Sequence, residues 1–399
     1  MVITGTAGGT AGGTAGGTLR RARFAVTAAF VVHGLTGAAW VARIPQIKEH
    51  LGLSAGSLGV ALLGAPVGVA VAVRFAGWIV ARWGSRATTL VAGTVAALSP
   101  VPIGLAWNMG ALIAALVLMG GSLGLMDVAM NAQGVAIERG YGRPIMSGLH
   151  GAYSLGTLAS ALVGSAAAHA HVPVRLHLSV VAVVLVGVLA VCCRGLLDRS
   201  ADVVPEEDGE AGSGVGSGRW VLAMLGVIGL CSFVGEGAMA DWSAVYLRET
   251  LGTGPGIAGL GYAGCAVAMA VGRLSGDWLV ARLGPVPVLR YGSVIAAAGL
   301  GLGLLGSHPA AAVIGFTVFG LGIAPVAPIT FSAAGNLPGV PAAAGIGRVT
   351  AVGYLGLLGG PPVLGFVAQG VGLPWALAVP VVLAAAIVPI SGAAATAGR

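Results

Sequence analysis

The residues Trp78-Ile79-Val80-Ala81-Arg82-Trp83-Gly84 return two hundred positions later as Trp278-Leu279-Val280-Ala281-Arg282-Leu283-Gly284, and each copy closes a long apolar run. Biased composition aligns alanine and glycine by chance, but it rarely aligns Trp and Arg with them. Two further matches share nearly the same offset: Gly120 to Asn131 runs beside Leu321 to Ala327, and Leu155-Gly156 faces Leu355-Gly356. The chain therefore reads as one unit written twice. Self-similarity at half the length is the mark of membrane folds in which two related helix bundles enclose a site.

The environment follows from composition. Hydrophobic residues make up 57% of the 399 positions and charged residues 8%, with a mean hydropathy of +0.96, and no water-soluble fold covers that much apolar surface with polar groups. A helix crosses the hydrocarbon with ~20 mainly apolar residues. Runs of that kind fall near 24–42, 55–80, 88–106, 110–136, 147–168, 175–193, 220–246, 257–280, 288–306, 310–332, 347–369 and 373–392. The expected fold class is all-α, a polytopic membrane protein with twelve transmembrane helices in two pseudo-symmetric six-helix bundles. The 70 glycines suit close helix contacts in such a bundle.

Between Arg194 and Arg219 the sequence passes through Glu206, Glu207, Asp208 and Glu210 into Gly and Ser, the composition of a solvated linker. The expected organisation is a disordered Gly/Thr/Ala-rich tail at 1–19, a first bundle at 20–194, a cytoplasmic linker at 195–219, a second bundle at 220–393 and a tail at 394–399. No cleavable signal peptide is evident, and the first apolar run reads as a retained span. Cytoplasmic loops carry the excess of Lys and Arg. With both termini inside, thirteen arginines, from Arg20 to Arg399, are cytoplasmic, and Arg43, Lys48, Arg175 and Arg248 face out. The formal charge of +7 reflects that topology, and no folded basic domain supports nucleic-acid binding. Cys192, Cys193, Cys231 and Cys265 lie in or beside apolar spans without metal-knuckle spacing, so no metal and no cofactor is expected. His169, His171 and His177 fall in or near an outside loop and lack carboxylate or cysteine companions, so they do not read as a metal cluster.

An ionised side chain at the centre of a membrane helix costs about 2.5 to 3.5 kcal/mol on insertion scales, so each must face a cavity, find a partner or be protonated. Asp127 lies eleven residues before Glu138, ~16 Å from the end of its helix at 1.5 Å per residue, and Asn131 shares its face. In the repeat, Asp127 and Asn131 match Pro325 and Ile329, so the scaffold alone does not demand polarity there. Asp127 is expected to carry a coupling proton or anchor a polar substrate, and Asn131 to supply hydrogen bonds. Glu236 on the seventh span is a second proton or substrate candidate, with a buried ion pair as its alternative; Asp241 suits the interface. His33 and Tyr153 are candidates for lining the cavity, and His150 for a gate. Arg74 and Arg273 either snorkel or pair across the bundle boundary with an acid such as Asp277.

The half-repeat, the central linker and the Trp-Arg-Gly turns resemble the major facilitator superfamily. So do Asp127-Val128-Ala129-Met130-Asn131-Ala132-Gln133 with Glu138, Arg143-Pro144-Ile145-Met146-Ser147, His150, Ser154-Leu155-Gly156, Gly353-Tyr354-Leu355-Gly356 and Gly360-Pro361-Pro362. Within the superfamily they resemble the bacterial branch of YbjJ and MosC. The resemblance implies two six-helix bundles around a central cavity, alternating access, often a proton gradient as energy source, and a monomer. Departures matter for the gate. The family loop after the second helix has an Asp where this chain has Ala81, followed by Arg82 and Gly84, and the second copy has Ala281. A charged latch there is absent or rebuilt, with Arg82, Arg86, Arg282 and Asp277 as gating candidates. The Gly-Pro pair of drug antiporters is missing from the fifth span.

The sequence thus points to a secondary active transporter of a small polar or amphipathic organic solute, proton-coupled, in a bacterial-type inner membrane. The alternatives are a membrane-embedded enzyme and a ligand-binding sensor. Against the enzyme stand the missing metal motif and nucleophile elbow, and no GxxxxGK[ST] supports a primary pump.

Overall fold

The computed structural model describes residues 11–53, 55–202, 214–253 and 255–397. The first half comprises α1 (Ala11–Ala38), α2 (Ala55–Leu62 and Gly64–Trp83), α3 (Ser85–Leu98, continued by Pro100–Gly104), α4 (Met109–Tyr141), α5 (Met146–His169) and α6 (Val174–Cys192). The second comprises α7 (Gly214–Val245), α8 (Pro255–Leu283), α9 (Pro285–Leu305), α10 (Pro309–Ile323 and Val326–Gly335), α11 (Ala342–Val371) and α12 (Leu373–Ile390). A short helix, Ile44–His50, sits between α1 and α2. Ten of the described helices meet a strict length and apolarity criterion for crossing a membrane.

The repeat is structural as well as sequential. The turns after α2 and α8 end on Gly84 (φ 84°, ψ 155°) and Gly284 (φ 81°, ψ 161°), a left-handed conformation that a Cβ disfavours. Asn108 and His308 cap α4 and α10 from an extended backbone, each accepting a hydrogen bond from the first turn. Helix contacts repeat too: α2 packs on α4 as α8 packs on α10, and α1 on α5 as α7 on α11. A Cβ placed on Gly120 would come within 1.9 Å of the Ala65 carbonyl oxygen, and one on Gly320 within 2.5 Å of the Cys265 carbonyl oxygen, so both helix crossings close at equivalent positions. Across the halves, α2 meets α11 and α5 meets α8, while α4 meets α10 and α11.

The end of the molecule that carries the α2–α3, α4–α5 and α8–α9 turns and the segment after α6 is called here the linker face. Residues 195–202, expected as solvated linker, are packed against it in short 3-10 turns. Asp202 accepts hydrogen bonds from Ser85 N (2.8 Å) and Ser85 Oγ, giving α3 a carboxylate at its N-terminus. Arg86 pairs with Asp198, Arg199 Nη2 donates to the Ala81 carbonyl oxygen at 2.8 Å, and Gln133 exchanges two hydrogen bonds with Leu197 at 2.9 Å. Unsatisfied helix-end groups, not composition, decide this docking. Glu206, Glu207, Asp208 and Glu210 lie outside the described residues. The C-terminal stretch also folds back, with Thr396 Oγ1 donating to the Ala333 carbonyl oxygen at 2.9 Å. α1 begins at Ala11, within the stretch expected to be tail.

Candidate functional site

α4 runs unbroken for 33 residues, and its middle carries the polar pair. Asn131 Nδ2 donates to Asp127 Oδ1 at 3.1 Å and to the Asp127 carbonyl oxygen at 2.8 Å, as the spacing of one turn requires. Asn131 is fully buried, with its Oδ1 unbonded, whereas Asp127 is partly exposed despite its depth. Around them α1 and α5 converge. His33 Nε2 donates to the Leu123 carbonyl oxygen at 3.2 Å, one turn before Asp127, and its ring lies 5.5 Å from that of Tyr153. From the second bundle, Tyr354 packs 5.7 Å from Phe233, centroid to centroid. Tyr153 and Tyr354 both lie within electrostatic reach of Asp127, so the sequence candidates His33, Asp127, Asn131 and Tyr153 meet at one level of the bundle seam.

Glu236 has a different setting. Its Oε2 lies 3.0 Å from Arg273 Nη2, with the two side chains 22% and 8% exposed, and Arg273 Nη1 donates across the seam to Ser154 Oγ at 3.0 Å. Among the described residues two ion pairs form, this one and Arg86–Asp198, and neither includes Asp127. The contrast separates the two embedded acids: one is neutralised by a cation on the next helix, the other is held only by an amide.

Below this level the bundles are joined. Glu138, one helical heptad after Asn131, accepts from Ile145 N at 2.8 Å and Met146 N at 3.1 Å, and from Ser332 Oγ on α10. Asp277 on α8 accepts from Ser147 N and Gly148 N, each at 2.8 Å. Two carboxylates, one from each bundle, thus hold the amides that open α5, which has no side-chain cap of its own. Arg139 donates to Asn336 Oδ1 at 2.6 Å and to the Gly335 carbonyl oxygen. His150 donates from Nδ1 to the Met146 carbonyl oxygen at 2.9 Å and stacks on Phe331 of α10, centroids 5.6 Å apart and planes 21° apart. Of the gating candidates, Asp277, Arg273 and His150 reach the other bundle. Arg86 turns to Asp198 within its own half, Arg282 lies 4.5 Å over the Trp278 ring, and Arg74 and Arg82 are exposed. Sequence reasoning gave neither Glu138 nor Arg139 a bridging role; the one legible signal was the heptad spacing of Glu138 from Asn131.

The Major Facilitator Superfamily profile matches residues 25–339, most of the chain. The chain belongs to the major facilitator superfamily. This superfamily member is 38% identical over 342 residues to an uncharacterised MFS-type transporter of Yersinia pestis, covering 86% of this chain and 87% of that one. It is 33% identical over 354 residues to membrane protein MosC of Rhizobium meliloti, covering 88% and 85%. Its fold matches that of the E. coli fucose:proton symporter FucP with a TM-score of 0.76 at 17% identity, over 93% of this chain and 98% of that one. It is a multi-pass membrane protein of the transporter type, and family and relatives weigh against the embedded-enzyme alternative.

Proposed function

We propose that this superfamily member is a proton-coupled secondary transporter of a small polar or amphipathic organic solute, working as a monomer by alternating access. The reading places it in a bacterial-type inner membrane with both termini cytoplasmic, so the linker face is the cytoplasmic one. The observation that carries it is the setting of Asp127: a carboxyl at mid-depth, partly exposed, without a cationic partner among the described residues. A carboxylate so placed resolves its charge by taking up a proton or meeting a polar ligand. Asn131 orients it, and the unbonded Asn131 Oδ1 suits a donor on the solute or a water. His33, Tyr153 and Tyr354 supply walls that are apolar in body and polar at the tip.

Glu236 and Arg273 serve as the second half's contribution. Because Arg273 bonds an acid of its own bundle and Ser154 of the other, solute binding at this level changes the seam directly. The Glu138, Arg139, Asp277 and His150 contacts form the gate that must part when access switches. Asp277, one turn before Ala281, thereby takes the place of the missing loop Asp.

The test is uptake into liposomes, after a thermal-shift screen of sugars, amino acids, inositol-like compounds and drugs has supplied the solute. Accumulation is expected only under an imposed pH gradient, and Asp127→Asn is expected to abolish accumulation while preserving binding. Gradient-independent exchange of the solute that survives Asp127→Asn overturns the coupling. Chemical conversion of the solute overturns the transporter reading.

A further inference from the structure

The end of the first bundle opposite the linker face is built by residues 39–53, 104–110 and 165–178, which carry Arg43, Lys48 and Arg175 and, as their sole acid, Glu49. Arg43 closes the 3-10 turn after α1 and is 2% exposed. Its Nη2 donates to the Val172 carbonyl oxygen, and its Nε and Nη1 have no hydrogen-bond partner among the described residues. Val172 stands just before α6, whose N-cap is Pro173, with no side-chain cap and no acid in the first turn. The guanidinium therefore lies at the positive end of a 19-residue helix. One turn into that helix His177 is 7% exposed, has neither ring nitrogen bonded, and is within electrostatic reach of Arg43. Trp40, packed in the same cluster as Leu178, is 6% exposed with its Nε1 unbonded.

These groups share one chemistry. The guanidinium N–H groups, the indole N–H and the opening amides of α6 are donors, a neutral imidazole adds one more, and the one acceptor named for Arg43 takes a single bond. Burying a guanidinium with unbonded N–H groups is costly, and a group of oxygens carrying negative charge relieves that cost through charge-assisted hydrogen bonds. Helix N-termini bind such groups through their amides and dipole. We propose that the α6 N-terminus, with Arg43 and His177, is a binding site for a phosphate-type oxyanion, separate from the site at Asp127. A phospholipid headgroup and a free inorganic anion offer the same chemistry to it.

The experiment uses the full chain, delipidated in neutral detergent, with sodium phosphate titrated at ionic strength held constant by sodium chloride. The expected result is a saturable rise in Tm, with apparent affinity at least about tenfold weaker in Arg43→Gln and weakened also in His177→Asn. A second arm compares Tm in phosphatidylcholine nanodiscs with and without phosphatidylglycerol. A rise with phosphatidylglycerol alone, lost in Arg43→Gln, assigns the site to a headgroup; a rise with phosphate assigns it to a free anion. If wild-type protein responds to neither, or Arg43→Gln folds and responds as wild type does, the proposal is overturned. Should Arg43→Gln fail to fold, the wild-type titrations and His177→Asn decide.

Discussion

At the scale of the residue, two acids on membrane-spanning helices differ by what stands beside them. Glu236 has Arg273 at 3.0 Å, and breaking a buried pair leaves a charge uncompensated. Glu236→Gln is expected to cost on the order of 3 kcal/mol, read as a lower Tm, and replacing Arg273 by Met in the same chain is expected to restore most of it. Asp127 makes no such pair, so Asp127→Asn, which keeps the shape and the bond from Asn131, is expected to leave Tm within a few degrees while removing the pH dependence of transport. A Tm loss as large as that of Glu236→Gln would assign Asp127 to structure. The position of Asp127 was legible because an embedded carboxyl is conspicuous in a chain with 8% charged residues, and Asn131 followed from helical spacing. The partner of Glu236 was not legible: Arg273 is reached only after the chain has folded two helices against each other, and spacing along one helix carries no record of that.

At the scale of the element, helix crossings depend on the absence of side chains. Gly120 stands where a Cβ would be 1.9 Å from the Ala65 carbonyl oxygen, whereas a Cβ on Gly187 would meet nothing within 4 Å. Gly120→Ala is therefore expected to lower stability by ~1 to 3 kcal/mol through overpacking of α2 on α4. Gly187→Ala, the control, is expected to leave the thermal melt unchanged or raise it slightly. Asp202→Ala removes the carboxylate from the opening of α3, with an expected loss of about 1 kcal/mol. These elements show where sequence reading succeeds and stops. Twelve apolar runs were countable because a bilayer fixes helix length, and their repeat was visible because Trp and Arg rarely align by chance. The docking of residues 195–202 was hidden, since polar composition does not distinguish a segment bonded to helix ends from one bonded to water.

At the scale of the whole molecule, the halves rest on each other along two seams, α2 with α11 and α5 with α8, and the linker-face contacts draw them together. In a background lacking the native cysteines, Asp277→Ala is expected to increase modification of Ser332→Cys by a membrane-impermeant thiol reagent applied from the linker side. Unchanged labelling would show that Asp277 does not hold the gate. The two seams are not equivalent, however. Asp277 spans one of them, while its repeat counterpart is Gly77, where a Cβ would lie 3.3 Å from the Ala344 Cα and no carboxylate is available to span the gap. A clasp on one edge and bare contact on the other make the closure lopsided. Parting should begin beside α2 and α11, so that solute leaves by an off-centre slot while the α5 and α8 edge still behaves as a hinge.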